Sequence, residues 1–360
     1  MDKRETASIC TKVEKGKRIT PEEALLLLKN ADILTLGRLA QNVRFRLNPE
    51  PIVTFVVDRN INYTNVCINR CRFCAFWRKP GHPEAFVLSQ QEVFRKIGEL
   101  VALGGTSILI QGGLNPELGL SYITELFSAI KERFPQVHIH GLSPPEVWYY
   151  ADKEGLSIRD TIKRLMESGL GSIPGGGAEV LSDRVRGIIS PNKINSSKWL
   201  KVMEEAHRLG LKSSATMMFG SVDRWEDVVE HLLKIRELQD KTGGFTAFIS
   251  WTFQPPNTEL KDLTPKTGVD YLKVLAVSRI FLDSVPHIQA SWVTQGIKMG
   301  QVSLFFGADD LGSTMIEENV VAAAGATHRT SIEEMVRVIV DAGFTPVQRT
   351  TLYQHLKRLA

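Results

Sequence analysis

The chain has 360 residues, 43% of them apolar, enough to bury a large core and more than one ordinary domain holds unless the fold is a barrel. Its 44 basic and 40 acidic residues are interspersed, so the net charge of +4 comes with no polybasic arm and argues against nucleic acid as a partner. The start, MDKRETASICTKVEKGKR, has no apolar run, and no later stretch approaches the roughly 20 apolar residues of a membrane span, so a cytoplasmic protein is expected.

Taken in order, the first fifty residues read as a helical lead-in. Thr20 opens a T-x-x-E capping box with Glu23, Pro21 takes the first helical position and ALLLL follows, with a second helix over roughly Ile33 to Leu47. After the lead-in TFVV (54–57), eight short β-rich runs alternate with amphipathic stretches: INYTNV (61–66), SILIQGG (107–113), HIHGLS (138–143), GSIPGGG (171–177), SSATMMFG (213–220), AFISWTF (247–253), IQASWV (288–293) and VSLFFGADD (302–310). Helix starts lie between them, at Ser89-x-x-Glu92 and at Asp223 before a stretch ending near Gly243. This alternation predicts an α/β fold, a (β/α)8 TIM-type barrel over 51–312 with ligands at the carboxyl ends of its strands. The tail, 313–360, reads as two or three helices packed on that barrel, with Ser331 capping IEEMVRVIVDAG and TLYQHLKRL as the last short segment.

Three of the four cysteines follow the first barrel strand as Cys67-x3-Cys71-x2-Cys74, and Cys10 stands apart. Three thiolates on one loop can bind three irons of a 4Fe-4S cluster and leave the fourth open. A structural zinc is the alternative, and needs a fourth ligand such as Cys10 or His82. The spacing, with Phe73 just before the third cysteine, resembles the radical S-adenosylmethionine superfamily. Further strings extend the likeness over nearly the whole chain to the branch that builds menaquinone through futalosine, together with the deazaflavin-forming synthases: DRNINYTNVC (58–67), FCAFWR (73–78), IPGGGAE (173–179), TGGFTAFISWTFQP (242–255), QASWVTQG (289–296) and MIEENVVAAAG (315–325).

That resemblance implies an enzyme carrying a 4Fe-4S cluster on Cys67, Cys71 and Cys74 that cleaves S-adenosylmethionine to a 5′-deoxyadenosyl radical, with flavodoxin or ferredoxin as electron donor. The radical would take the ribose C4′ hydrogen of dehypoxanthine futalosine, and the sugar radical would close onto the benzoate ring. Phe73 would lie near the adenine, with Gln111, Gly112 and Gly113 at the methionine amino group. Glu179 would reach ribose hydroxyls, and is also a catalytic candidate. For the substrate, Arg78 and Arg184 are candidate carboxylate ligands, with Trp251, Gln254 and Trp292 at strand ends. Phe76, Trp77, Met217, Met218 and Phe253 are further candidate apolar walls. His138 and His140 alternate on one strand and share a face, so either is a candidate base. Two siblings, aminofutalosine synthase and the tyrosine-using part of deazaflavin synthase, would keep the cluster and change the pocket. A non-catalytic, metal-stabilised barrel that binds a nucleoside or a partner protein is the rival of another class.

Overall fold

Every alternating run but the last becomes a barrel strand in the computed structural model, which describes residues 3–359. The strands are β1 (Ile52–Val56), β2 (Asp58–Asn62), β3 (Ser107–Gln111), β4 (His138–Gly141), β5 (Leu170–Ile173), β6 (Lys212–Phe219), β7 (Phe245–Thr252), β8 (His287–Gln289), β9 (Asp310–Ser313), β10 (Thr345–Arg349) and β11 (His355–Arg358). They form one sheet in the order β11-β10-β1-β9-β8-β7-β6-β5-β4-β3-β2, parallel throughout except for the β10–β11 pair. Only Val57 separates β1 from β2, so the two are halves of one extended segment. The first half pairs with β9 and the second with β3. Chain continuity therefore joins the two ends of the sheet, and this split strand with β3 to β9 makes an eight-stranded barrel.

Strand residues alternate between two environments, as the two-residue period requires. Ile108, Ile110, Ile139, Ala215, Met217 and Phe248 face the helices and are fully buried. Leu109, Gln111, His140, Thr216 and Trp251 point instead into the barrel. The crossover helices start where capping chemistry places them. Ser89 accepts from the Glu92 N–H while the Glu92 carboxylate accepts from the Ser89 N–H, which starts the helix Gln90–Ala102. Gly243, at φ +59°, ends the helix Trp225–Thr242 in the left-handed conformation that glycine adopts without strain. At the amino end, Leu27, Leu28, Leu36, Leu39 and Ala40 join the barrel's apolar core, and the helix Ile33–Leu47 packs along the helix Gly268–Phe281.

Two expectations need correction. VSLFFGADD is no strand: Ile297–Ser303 is helical, a turn with Gly307 at φ +93° follows, and β9 begins only at Asp310. Leu304 and Phe306 are buried in the shared core, and a short apolar run of that kind reads alike as strand or buried helix. The tail is also not purely helical. It has a short helix Val320–Ala323 and the helix Ile332–Asp341, but TLYQHLKRL contributes β11, and β10 pairs in parallel with β1 from Ile52 opposite Thr345 to Phe55 opposite Gln348. No helix among the described residues is long and apolar enough to cross a membrane.

Candidate active site

The cysteines sit on a loop that leaves the barrel after β2 and is pinned at both ends. Asn65 fixes the returning segment, donating through Nδ2 to the Glu84 carbonyl and accepting from the Phe86 N–H at 2.9 Å each. The Cys67 N–H bonds to the Arg78 carbonyl and the Arg78 N–H to the Asn65 carbonyl. Arg78 therefore closes the loop: its guanidinium donates to the carbonyls of Ala75 and Trp77 at 3.0 Å and pairs with Glu84 at 2.7 Å. It lines neither cavity, which corrects its assignment as a substrate ligand.

Cys67, Cys71 and Cys74 share the wall of an outer cavity of about 340 Å³, which no other cysteine and no histidine among the described residues lines. Cys10 lies away from it on the helix Lys3–Glu14, and His82 accepts from the Glu84 N–H. Burial pushes the Cys71 thiol up to about 12 and raises Cys74 as well, so these two thiols stay protonated until an electrophilic partner takes them. Among the described residues no three His, Cys, Asp or Glu side chains converge as ligands of a single ion do. Three sulfurs spread around a cavity suit separate irons of one cube, so the residues present fit a cluster held at three corners.

Around that loop the packing explains the glycines. A Cβ on Gly113 would lie 2.2 Å from the Val66 carbonyl oxygen, and one on Gly112 would lie 2.5 Å from the Tyr63 ring. Only glycine lets β3's end press against the cysteine loop. Glu146 supports it from below: one carboxylate oxygen accepts from Tyr63 and the Gly112 N–H at 2.9 Å, the other from the Ser143 N–H and hydroxyl at 2.7 Å. Glu179 faces the same cavity from a left-handed backbone, φ +44°, with Lys193 at 2.9 Å and Arg186 at 3.4 Å. Burial works against the Lys193 charge, but the carboxylate of Glu179 at 2.9 Å favours the ammonium, which lies 5.1 Å from the centre of the Phe73 ring. Phe73, Gln111, Gly112, Gly113, Glu179, Trp251 and Gln254 thus meet the three cysteines in one cavity.

A second cavity of about 250 Å³ lies inside the barrel, and Gln111, Gly176, Thr216, Trp251 and Glu318 line both. Its other walls include Asp58, His140, Trp292, Ser313, Arg349 and Tyr353. Trp292 is held by its indole N–H, which donates to the Ser313 carbonyl at 3.0 Å. His140 shares the Ser172 hydroxyl with His138, at 2.6 and 2.7 Å. Burial lowers His138 to about 4 and His140 to about 3, so both rings are neutral. His138 sits two residues nearer the start of β4 and lines neither cavity.

Arg184 is also remote, on the helix Asp183–Ile189, where it pairs with Asp227. The arginine that does reach the inner cavity is Arg349, bidentate to Asp310 at 2.5 and 2.9 Å. Sequence reasoning missed it, along with Asp58, Glu146, Lys193 and Tyr353. One signal was available: Asp58, Asn60 and Asn62 alternate along β2, the pattern of polar side chains sharing the barrel's inner face.

Residues 61–235 match the Radical SAM superfamily and residues 242–359 the CofH/MqnC C-terminal region. The cyclic dehypoxanthine futalosine synthase of Halalkalibacterium halodurans is 46% identical over 345 residues, 95% of this chain and 92% of that protein. That of Streptomyces coelicolor is 46% identical over 99% of this chain and 90% of its own length. The 5-amino-6-(D-ribitylamino)uracil–L-tyrosine 4-hydroxyphenyl transferase of Methanopyrus kandleri is 43% identical, covering 89% of this chain and 88% of its own. Among solved structures, methylornithine synthase (PylB) superposes with a TM-score of 0.75 at 19% identity, over 94% of this chain and 97% of that one. The hydrogenase maturase HydG from Carboxydothermus hydrogenoformans gives 0.74 at 20%, over 98% and 81%.

Proposed function

The chain belongs to the radical S-adenosylmethionine superfamily, in the branch with the CofH/MqnC C-terminal region, and on that basis we propose that it is the enzyme that cyclises dehypoxanthine futalosine during menaquinone biosynthesis. The observation that carries this reading is the shared wall: a cysteine-lined chamber has Trp251 and Glu318 in common with a largely apolar chamber inside the barrel. When bound, a reduced 4Fe-4S cluster and S-adenosylmethionine supply one electron and a 5′-deoxyadenosyl radical.

The chain's own residues then have separable tasks. Cys67, Cys71 and Cys74 would hold the cluster. Phe73 would lie along the adenine, and the exposed backbone of Gly112 and Gly113 would take the methionine amino group. Lys193 stands where an anionic group beside Phe73 would meet a protonated amine, and Glu179, steadied by Lys193 and Arg186, would accept from ribose hydroxyls. In the inner chamber, Trp251 and Trp292 would clamp the substrate, with Gln254 reaching it from the outer side of the shared wall, and the apolar walls would exclude water from a carbon radical. A cytoplasmic setting and a flavodoxin or ferredoxin donor complete the proposal.

The near-equal identity to the tyrosine 4-hydroxyphenyl transferases makes the substrate the point to test. Reconstituted anaerobically with iron and sulfide, then reduced, the enzyme is offered dehypoxanthine futalosine, enolpyruvyl benzoate, or tyrosine with the ribitylaminouracil. Formation of a product lighter by two hydrogens from the first alone, with 5′-deoxyadenosine, supports the reading. Turnover of only one of the other two overturns it.

A further inference from the structure

We propose that Asp58 is the proton acceptor of the inner chamber, taking up through its carboxylate the proton that the substrate's aryl ring releases as it regains aromaticity. The proposal rests on the cyclase reading above and names a group within that site.

Among the described residues, five ionisable side chains line the chamber: Asp58, His140, Glu318, Arg349 and Tyr353. Four are unsuited to accept a proton. The Arg349 guanidinium is permanently charged and locked on Asp310. The Tyr353 ring is sandwiched between Arg349 and His287, with centroids 3.8 Å from each partner, and burial keeps its phenol protonated. His140 is committed to Ser172 through Nδ1, and a cation there is strongly disfavoured by burial. In Glu318, Oε1 accepts from the N–H groups of Val320 and Val321, and Oε2 accepts from Asn60 at 3.3 Å. Asp58 differs. Its Oδ1 accepts from the Ser313 hydroxyl, while Oδ2 accepts from no protein donor among the described residues.

The fold explains why a carboxylate stands there. Asp58 is the first residue after Val57, the point at which the split strand passes from β9 to β3, and its side chain spans that seam to Ser313 at the end of β9. The titratable and charged groups around it are Asp310 on β9, Arg349 on β10 with Tyr353 behind it, His140 on β4 and Glu318 beyond β9; β3 presents no titratable group there, with Ser107 opposite Asp58. Burial raises the Asp58 carboxyl to about 6, opposed by Ser313 and Arg349, so it is ionised near neutrality yet basic enough to take a proton.

The step balances. The sugar-carbon radical forms a C–C bond to a ring CH carbon, giving a cyclohexadienyl radical. The C–H bond at that carbon then breaks: the proton passes to Asp58 Oδ2, making a carboxylic acid, and the electron to a one-electron acceptor of the iron-sulfur class. Aromaticity returns, and the acid loses its proton to water after product leaves.

Asp58→Asn preserves volume and the bond from Ser313, so it tests proton acceptance. Product formed per 5′-deoxyadenosine is expected to fall about 100-fold, with part restored in Asp58→Glu. In the unaltered enzyme the same ratio should drop as pH falls below about 6. A readout without cofactor is the infrared carboxyl band of ¹³C-aspartate-labelled, metal-free protein: a component titrating near 6 should vanish in Asp58→Asn. An unchanged ratio in Asp58→Asn, or loss of 5′-deoxyadenosine in proportion to product, overturns the proposal alone. If the unaltered enzyme makes no cyclised product, the cyclase reading falls and takes this proposal with it.

Discussion

The outer and inner chambers share a wall but are assembled on different plans. The outer one draws its three sulfurs from one loop, braced by Arg78, Asn65 and the glycines at the end of β3. Its inner neighbour takes Asp58 from β2, His140 from β4, Trp251 from β7, Trp292 from beyond β8 and Arg349 from β10. Radical initiation can therefore be specified by a short local pattern, whereas the inner chamber exists only once the barrel has closed and the tail has docked. Changes in the first should abolish chemistry at its start; changes in the second should waste radicals or loosen the barrel.

The largest effect tests the outer chamber. Cys67→Ala, Cys71→Ala or Cys74→Ala should each remove bound iron and sulfide and all reductive cleavage of S-adenosylmethionine, while Cys10→Ala should leave both intact. Metal analysis with 5′-deoxyadenosine quantitation checks this, and a comparable loss in Cys10→Ala would break the three-ligand picture.

Next comes the inner wall. Arg349→Met leaves Asp310 buried without its partner, a loss of about 3–5 kcal/mol for a broken buried pair, read from urea unfolding. Combining it with Asp310→Asn should recover part of that loss, because the stranded charge is gone. Little change in the single variant would mean that the tail is not integral to the chamber.

A smaller effect is acid sensitivity. The folded values of His138 and His140, about 4 and 3, lie below the ordinary 6.5, so the unfolded chain binds protons first. Their contribution to stability is thus intact above about 6.5 and lost progressively as pH falls toward 4. Asp58 acts in the opposite sense, adding stability as pH drops below about 6. His138→Gln isolates the first contribution, since it should flatten the acid slope of the urea midpoint while Asp58 is unchanged.

Smallest of all should be Arg184→Ala, at less than about 1 kcal/mol, because the arginine of its pair with Asp227 is itself in contact with solvent. Product yield should not move. A marked fall in yield would return Arg184 to the substrate site and blur the division between chambers.

The same division explains what could be read in advance. Cys67, Cys71 and Cys74 are legible because their spacing is itself the geometry of the loop, and Thr20, Ser89 and Ser331 because capping is decided within one helical turn. The barrel followed from alternation, apart from VSLFF, whose apolar side chains serve a buried helix as well as a strand. The arginines failed for a different reason. Arg78 spends its hydrogen bonds within its own loop and Arg184 spends its own on Asp227 and the Val222 carbonyl, away from either chamber, whereas Arg349 reaches the chamber only because β10 pairs with β1, a contact between opposite ends of the chain. Asp58 depended on a strand split at Val57, which no local pattern announces.

The most direct test of the two-chamber account is isotope transfer from substrate to cofactor. With deuterium at the ribose C4′ of dehypoxanthine futalosine, the account predicts singly deuterated 5′-deoxyadenosine formed together with cyclised product. Unlabelled 5′-deoxyadenosine accompanying the same product would contradict it, since the hydrogen would then have left from somewhere other than the sugar carbon held where the chambers meet.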